Sequence, residues 1–279
     1  MNIKVIACDV LNREISMISS QSEHFVDVTF LPQGLHNEPD LLRRTLQEQI
    51  DLANKGFHLR YLEKTSLDDF SLFDYDFIVL GYGLCSNGIA GLSSARIPLV
   101  IPRAHDCITI LLGSKERYRE YFDSHKGIYW YSAGWIERTL QPGEERYRRI
   151  YDHYVKKYGE DNANYLMEME QAWFKSYHYA AYIDWGLPRS SFYRDYTKQC
   201  AKFLGWQYDE LKGDRGLLEN IINGRFLGNE VLLAPPGEEI HPSYDDMIIC
   251  SQRKEAECPI KARHDCPEFA IPPDGPTGS

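Results

Sequence analysis

Asp76-Phe77-Ile78-Val79-Leu80-Gly81-Tyr82-Gly83-Leu84-Cys85-Ser86-Asn87-Gly88 is the stretch whose reading decides the fold. A short apolar run that ends abruptly in a glycine-rich loop is how a strand buried on both faces hands the chain over at its carboxyl end. The loop is not a nucleotide fingerprint. Gly81 and Gly83 lack a third glycine at the dinucleotide spacing, and no P-loop lysine follows. Its glycines are read as letting the backbone come close to a ligand while presenting Cys85. Gly83, Ser86, Asn87 and Gly88 are thus candidate ligand-binding positions.

The same construction recurs on both sides of this stretch. Residues 3–7 form an apolar run ending at Cys8-Asp9, and residues 26–31 alternate before the turn at Pro32-Gln33-Gly34-Leu35-His36. Residues 97–101 form another strand, ending in Pro102-Arg103-Ala104-His105-Asp106-Cys107. Between them Leu42, Leu46, Ile50 and Ala53 recur at helical spacing, predicting an amphipathic helix over about 38–55. Helices follow at 108–112 and 115–125, and a further strand at 128–131. Strands and helices in alternation predict an α/β fold with parallel sheets flanked by helices.

Four segments follow from this pattern. Residues 1–138 read as an N-terminal α/β half and 139–178, rich in Arg, Tyr, Glu and Met, as a helical insert. Residues 179–246 read as a second α/β half, with strands at 180–184, 206–211 and 230–234. The expected architecture is two Rossmann-like halves joined by the insert. Residues 247–279 carry Cys250, Cys258 and Cys266 and read as a flexible tail. The tail's cysteine spacing, with His264-Asp265-Cys266, matches neither a zinc ribbon nor a ferredoxin run.

Composition narrows the function classes. With 43% apolar and 13% aromatic residues, the 279-residue chain can bury a substantial core. A formal charge of -10 without a basic run argues against a nucleic-acid partner. The apolar runs are far shorter than the ~20 residues of a membrane span, and no signal peptide is legible at the N-terminus, so a cytoplasmic protein is expected. Seven cysteines, an odd number, suit free thiols in a reducing compartment better than a disulfide framework.

In an open parallel sheet ligands bind outside the carboxyl ends of the strands. There the sequence places Cys8-Asp9, His36, Cys85 and His105-Asp106-Cys107. Thiolate, imidazole and carboxylate from several loops form the donor set of zinc or ferrous iron. Cys85, His105 and Cys107 are the expected metal ligands, with His36 a further one. His105 and Cys107 with Asp9 are the candidate catalytic groups, Asp9 orienting an imidazole. Arg103 is a candidate for holding an anionic substrate. The alternatives are buried structural cysteines in a non-catalytic binding module, or a metal-free thiol pair in which His105 activates Cys107.

Five motifs in order, Pro32-Gln33-Gly34-Leu35-His36, Gly83 to Gly88, Pro102 to Ile108 with Leu111-Leu112-Gly113-Ser114, Leu211-Lys212-Gly213-Asp214 and Pro235-Pro236-Gly237, resemble the DUF1638 family. The resemblance runs over about residues 3–240. It implies a setting in methanogens and anaerobic bacteria, beside corrinoid-dependent methyltransferase systems. The His-x-Cys pair with a remote Cys is similar in ligand type to the zinc site of methyltransferases that pass a methyl group to a thiol. The corrinoid signature Asp-x-His-x-x-Gly is absent, which implies a corrinoid only on a partner protein. The expected activity is therefore that of a zinc or iron enzyme, or an accessory protein, of anaerobic one-carbon metabolism. Its expected partners are a small-molecule substrate, a corrinoid protein or methyltransferase, and a second copy of the chain.

Overall fold

A computed structural model of the chain describes residues 1–56, 74–226 and 228–253. In chain order its strands are β1 (Asn2–Cys8), β2 (Phe25–Leu31), β3 (Phe77–Gly81), β4 (Leu99–Pro102), β5 (Ile128–Tyr131), β6 (Tyr179–Asp184), β7 (Gln207–Lys212), β8 (Val231–Ala234), β9 (Glu238–Pro242) and β10 (Ile249–Arg253). The helices are α1 (Asn12–Ser19), α2 (Pro39–Asn54), α3 (Cys107–Leu112), α4 (Lys115–Ser124), α5 (Ala133–Arg138), α6 (Glu144–Tyr158), α7 (Glu160–Gln171), α8 (Ser190–Leu204) and α9 (Gly216–Ile222).

The chain is a mixed α/β protein with two parallel-rich sheets. The larger has the order β2-β1-β3-β4-β8, the smaller β5-β6-β7, and β9 and β10 form a hairpin. In the larger sheet the chain runs outward from β1 to β2 and then returns to β3 on β1's other side. The β1/β3 boundary is therefore the switch point at which such sheets open a crevice.

Residue alternation explains the layers. Ile3, Val5 and Ala7 of β1, Val79 of β3 and Val100 of β4 enter one apolar core, shared with Ala180 and Tyr182 of β6. Ile6, Ile78, Leu80, Leu99 and Ile101 point to the opposite face, where Leu42, Leu46 and Ile50 of α2 cover them. This is the period-two signature of strands buried on both faces. Pro39 starts α2 at a position that needs no backbone N–H. Lys4, nearly buried in β1, is tolerated because its Nζ meets Asp27 Oδ2 at 2.8 Å and Thr29 Oγ1 at 2.7 Å.

Three features depart from the sequence reading. Strand β5, placed in the N-terminal half, pairs with β6, so the second sheet draws a strand from before residue 138. Strand β8, placed in the C-terminal half, runs antiparallel to β4 in the first sheet. Pairing is decided by which edge is free when the chain returns, and periodicity within a strand carries no such information. Finally, Ile249–Arg253, read as tail, is β10, held to β9 and to Arg103, whose Nη1 donates to Met247 O at 2.8 Å and to Ile249 O. Cys258, His264, Asp265 and Cys266 lie outside the described residues.

One buried acid opposes folding. Glu14 of α1 is 1% exposed, and its Oε2 has no hydrogen-bond partner among the described residues. Burial, reinforced by Glu137, pushes its carboxyl up from 4.5 to about 7. The folded state then binds the proton more tightly than the unfolded one, so stability falls as pH rises from about 4.5 to about 7 and stays lower above. Glu14→Gln should raise the free energy of unfolding at pH 8 by roughly 3 kcal/mol and by almost nothing at pH 4. Urea denaturation at the two pH values measures this, and an equal effect at both would count against a buried titrating Glu14.

Candidate functional site

The β3 loop does not end where the strand does. Leu84 N donates to Ala104 O at 2.8 Å and Cys85 N to His105 O at 2.9 Å, continuing the β3–β4 pairing past both strand ends. This places Cys85 beside the segment that starts α3. Gly83 is needed for the approach: a Cβ there would stand 2.6 Å from Asp106 N and 2.8 Å from Ala104 O. The glycine thus brings the loop against the segment that leaves β4.

Beyond Gly83 the chain makes a left-handed turn. Cys85, Ser86 and Asn87 have φ of 46°, 56° and 65°. Each such residue costs about 1–2 kcal/mol relative to the right-handed conformation. The turn is held by Gly88 N donating to Cys85 O at 3.0 Å and by Arg43 Nη2 donating to Asn87 O at 3.1 Å. Gly88 itself lies on Leu42, with no room for a Cβ.

On the other side Asp106 caps α3, its Oδ1 accepting from Thr109 N at 2.9 Å and from Thr109 Oγ1 at 3.1 Å. Cys107 is the first residue of that helix and His105 stands exposed just before it. His36 lies in a short 3-10 turn after β2. Cys8 ends β1. All five side chains, with Ser86, line one cavity of about 370 Å³ at the β1/β3 switch point. Helix α5 walls it with Trp135, whose ring meets that of His36 edge-on at 5.9 Å.

Burial, with negative charge beside it, keeps the thiols of the cavity protonated. Burial pushes the Cys85 thiol up to about 12, with Asp106 and Cys8 adding to the rise. Cys107 is raised well above the ordinary thiol value by burial, then by Asp106, Cys85 and Cys8. Cys8 is raised by burial too, against the Val10 N–H that faces its sulfur. Burial lowers the pKa of His36, which favours its neutral imidazole.

Two donors in the wall are unused. Tyr82 Oη and Trp135 Nε1 are buried and have no hydrogen-bond partner among the described residues. The Trp135 indole opposes the rise of the Cys107 pKa, yet falls short of hydrogen-bond geometry. Buried donors without a partner are rare in folded proteins, and a ligand or water can complete their bonding. Neither was singled out from sequence. Tyr82 sits between two glycines in the loop and could have been flagged; Trp135 arrives from a distant helix and could not.

Some expected roles are taken up elsewhere. Asp9, expected to orient an imidazole, is instead gripped by Arg138 Nε and Nη2 and by Asn12 Nδ2 at 2.9 Å, which holds its carboxyl below the usual range. Arg103, expected to hold an anion, ties the β9–β10 hairpin to the sheet. Asn87 is exposed and contributes its carbonyl to Arg43. Among the described residues no three His, Cys, Asp or Glu side chains stand close enough, as they are, to hold a metal ion. No helix among them is long and apolar enough to cross a membrane.

A sequence model of the family described as "Protein of unknown function (DUF1638)" matches residues 30–222. The chain belongs to the DUF1638 family. Neither the curated proteins nor the solved structures yield a match. The DUF1638 match takes in the Cys85 loop, the His105–Cys107 segment and the Lys212-Gly213-Asp214 turn, while Cys8 precedes it.

Thiol reactivity tests the electrostatics. At neutral pH the metal-free Cys85 should alkylate about a thousandfold more slowly than an ordinary thiol, because that fraction less of it is thiolate. Iodoacetamide labelling followed by peptide mass spectrometry gives the rate. Rapid labelling of Cys85 in folded protein at pH 7 would contradict a thiol held neutral by burial.

Proposed function

We propose that this DUF1638 protein is a metal-dependent enzyme or accessory protein of anaerobic one-carbon metabolism, working at the thiol cleft. The observation that carries the reading is the gathering of Cys8, Cys85, Cys107, His36 and His105, from four loops, onto one cavity. Three sulfurs and two imidazoles are a soft donor set that suits zinc or iron. Cys85 and Cys107, with Cys8 and an imidazole, would hold the ion. Their side chains must rotate toward one another to do so, since they do not converge as they stand.

Proton chemistry favours this over a metal-free thiolate. Each thiol is raised by burial, and of the cations only Arg138 works against the rise, weakly and at Cys8 alone. A nucleophile needs its thiolate, and the cleft by itself keeps the thiols protonated. A bound metal would supply the missing positive charge, as a Lewis acid that depresses the pKa of a substrate thiol or water. Tyr82 and Trp135 would orient an acceptor atom of the substrate, whether that of a thiol-bearing, methylated or small anionic molecule. Any corrinoid in the reaction would be carried by a partner protein, since the chain lacks the Asp-x-His-x-x-Gly signature.

Anaerobically purified chain should take up one zinc or cobalt(II) ion, with cobalt giving a thiolate charge-transfer band. Binding should release protons and tighten as pH rises, because the ion competes with protons for raised thiols. Cys85→Ser and Cys107→Ser should each weaken it by at least about 100-fold, more than loss of a group outside the coordination sphere does. Failure of wild-type chain to bind either ion tightly at pH 8 would remove the metal reading.

A second reading is a binding module that docks a corrinoid protein through the 139–178 helices. It is favoured by Tyr165 (64% exposed), Met169 (60%) and Trp173 (39%), large apolar side chains open to solvent on and just after α7. In that case partner binding would survive Cys85→Ser and Cys107→Ser but not Tyr165→Ala with Trp173→Ala.

A further inference from the structure

The second sheet ends in a cleft of its own, independent of the thiol site. Strands β6 and β7 run parallel with Asp184 beside Lys212 at their carboxyl ends, the side of an open sheet on which ligands bind. A cleft of about 870 Å³ opens there, with Asp184, Glu210, Lys212, Asp214 and Arg215 on its walls and Arg117 reaching in from α4. Lys212, Gly213 and Asp214 of the Leu211-Lys212-Gly213-Asp214 motif line it, and the thiol site leaves that motif without a role. Gly213 is required where it stands, since a Cβ would lie 1.9 Å from Trp185 Cδ1.

The charges in this cleft are not balanced internally. Glu210 is consumed by Arg194, whose Nε and Nη2 each lie 2.8 Å from one of its oxygens, and by Tyr208 Oη at 2.6 Å. Asp184 accepts from Arg194 Nη2 at 3.0 Å and from Gly186 N at 2.9 Å. One guanidinium from α8 thus satisfies both acids. Asp214 turns back to accept from Gly216 N at 2.7 Å. The cations have no such partners. Lys212 is exposed, and its side chain makes no hydrogen bond or ion pair among the described residues. Arg117 and Arg215 each give one nitrogen to a backbone carbonyl, Leu112 O at 3.3 Å and Trp185 O at 3.1 Å, and neither meets a carboxylate. With Arg194 counted, four cations meet three carboxylates around the cleft, a surplus of one positive charge in a chain whose formal charge is -10, and three of those cations meet no carboxylate.

We infer that this cleft binds a small polyanion, a molecule carrying phosphoryl or clustered carboxylate groups, on Lys212, Arg117 and Arg215. Guanidinium forks with most of their N–H groups unspent match two-oxygen acceptors, and an exposed lysine adds a point charge. The volume suits a ligand of metabolite size.

Titration calorimetry of the full chain at low ionic strength, with pyrophosphate and with citrate as probes, tests this. One equivalent of at least one probe should bind, weakening as salt is added. Pyrophosphate alone would assign phosphoryl groups, and citrate alone carboxylates. Lys212→Ala should reduce affinity about tenfold and Lys212→Glu more, since a charge-assisted contact of this kind is worth roughly that much. Lys126→Ala, an exposed lysine elsewhere, should have no effect, and neither should Cys107→Ser. Because Lys212 is exposed, its replacement is not expected to disturb folding, and thermal melts of each variant verify that. Absence of binding by both probes at about 10 mM, where even weak ion-paired ligands register, would overturn the inference. So would binding that Lys212→Glu leaves unchanged.

Discussion

The thiol cleft depends on one close backbone contact, α5 lying directly on the segment that leaves β1. A Cβ at Gly134 would stand 1.7 Å from Val10 O, so no other residue allows the helix so near. Charge pairs pin it in place: Arg138 grips Asp9, and Arg13 bonds Glu137 through both Nε at 2.8 Å and Nη2 at 2.6 Å. Tyr193 of α8 donates to Glu137 at 2.5 Å, carrying the connection into the second sheet's helices. Partly buried bidentate pairs like these hold geometry better than isolated surface pairs do. Through them Trp135 becomes the cleft's far wall.

The cleft gathers features that oppose folding. Three thiols, an imidazole and two orphan donors sit where burial favours hydrocarbon, and three successive residues of the Cys85 turn are left-handed. Polar atoms without partners and backbone strain both oppose folding, and both concentrate where a structure is prepared for a ligand. The neutral state is the least unfavourable one for thiols buried in this way. It also makes the cleft responsive, because any cation that enters must displace protons to be held.

Each sheet opens a cleft at the carboxyl ends of its strands, but the chemistry differs. The first is enclosed by α5 and lined by sulfur and aromatic rings; the second is wide and charged. Trp185 links them to a common frame, its indole N–H donating to Leu111 O at 2.8 Å at the end of α3, whose first residue is Cys107.

Local pattern alone was enough for most elements. Runs such as 128–131 and 216–222 are bounded by glycine or cap residues and carry one clear period, so their type is legible without partners. Cys85, His105, Cys107 and His36 could be placed on one edge because parallel strands all deliver their following loops to the same side. What required the tertiary structure was everything set by a partner distant in the chain. The assignment of β5 and β8 to their sheets depends on free edges, the occupation of Asp9 on Arg138, and that of Arg103 on a hairpin about 145 residues later. Tyr82 and Trp135 join the site for the same reason: burial and an unmet hydrogen bond are properties of surroundings, which no spacing along the chain encodes.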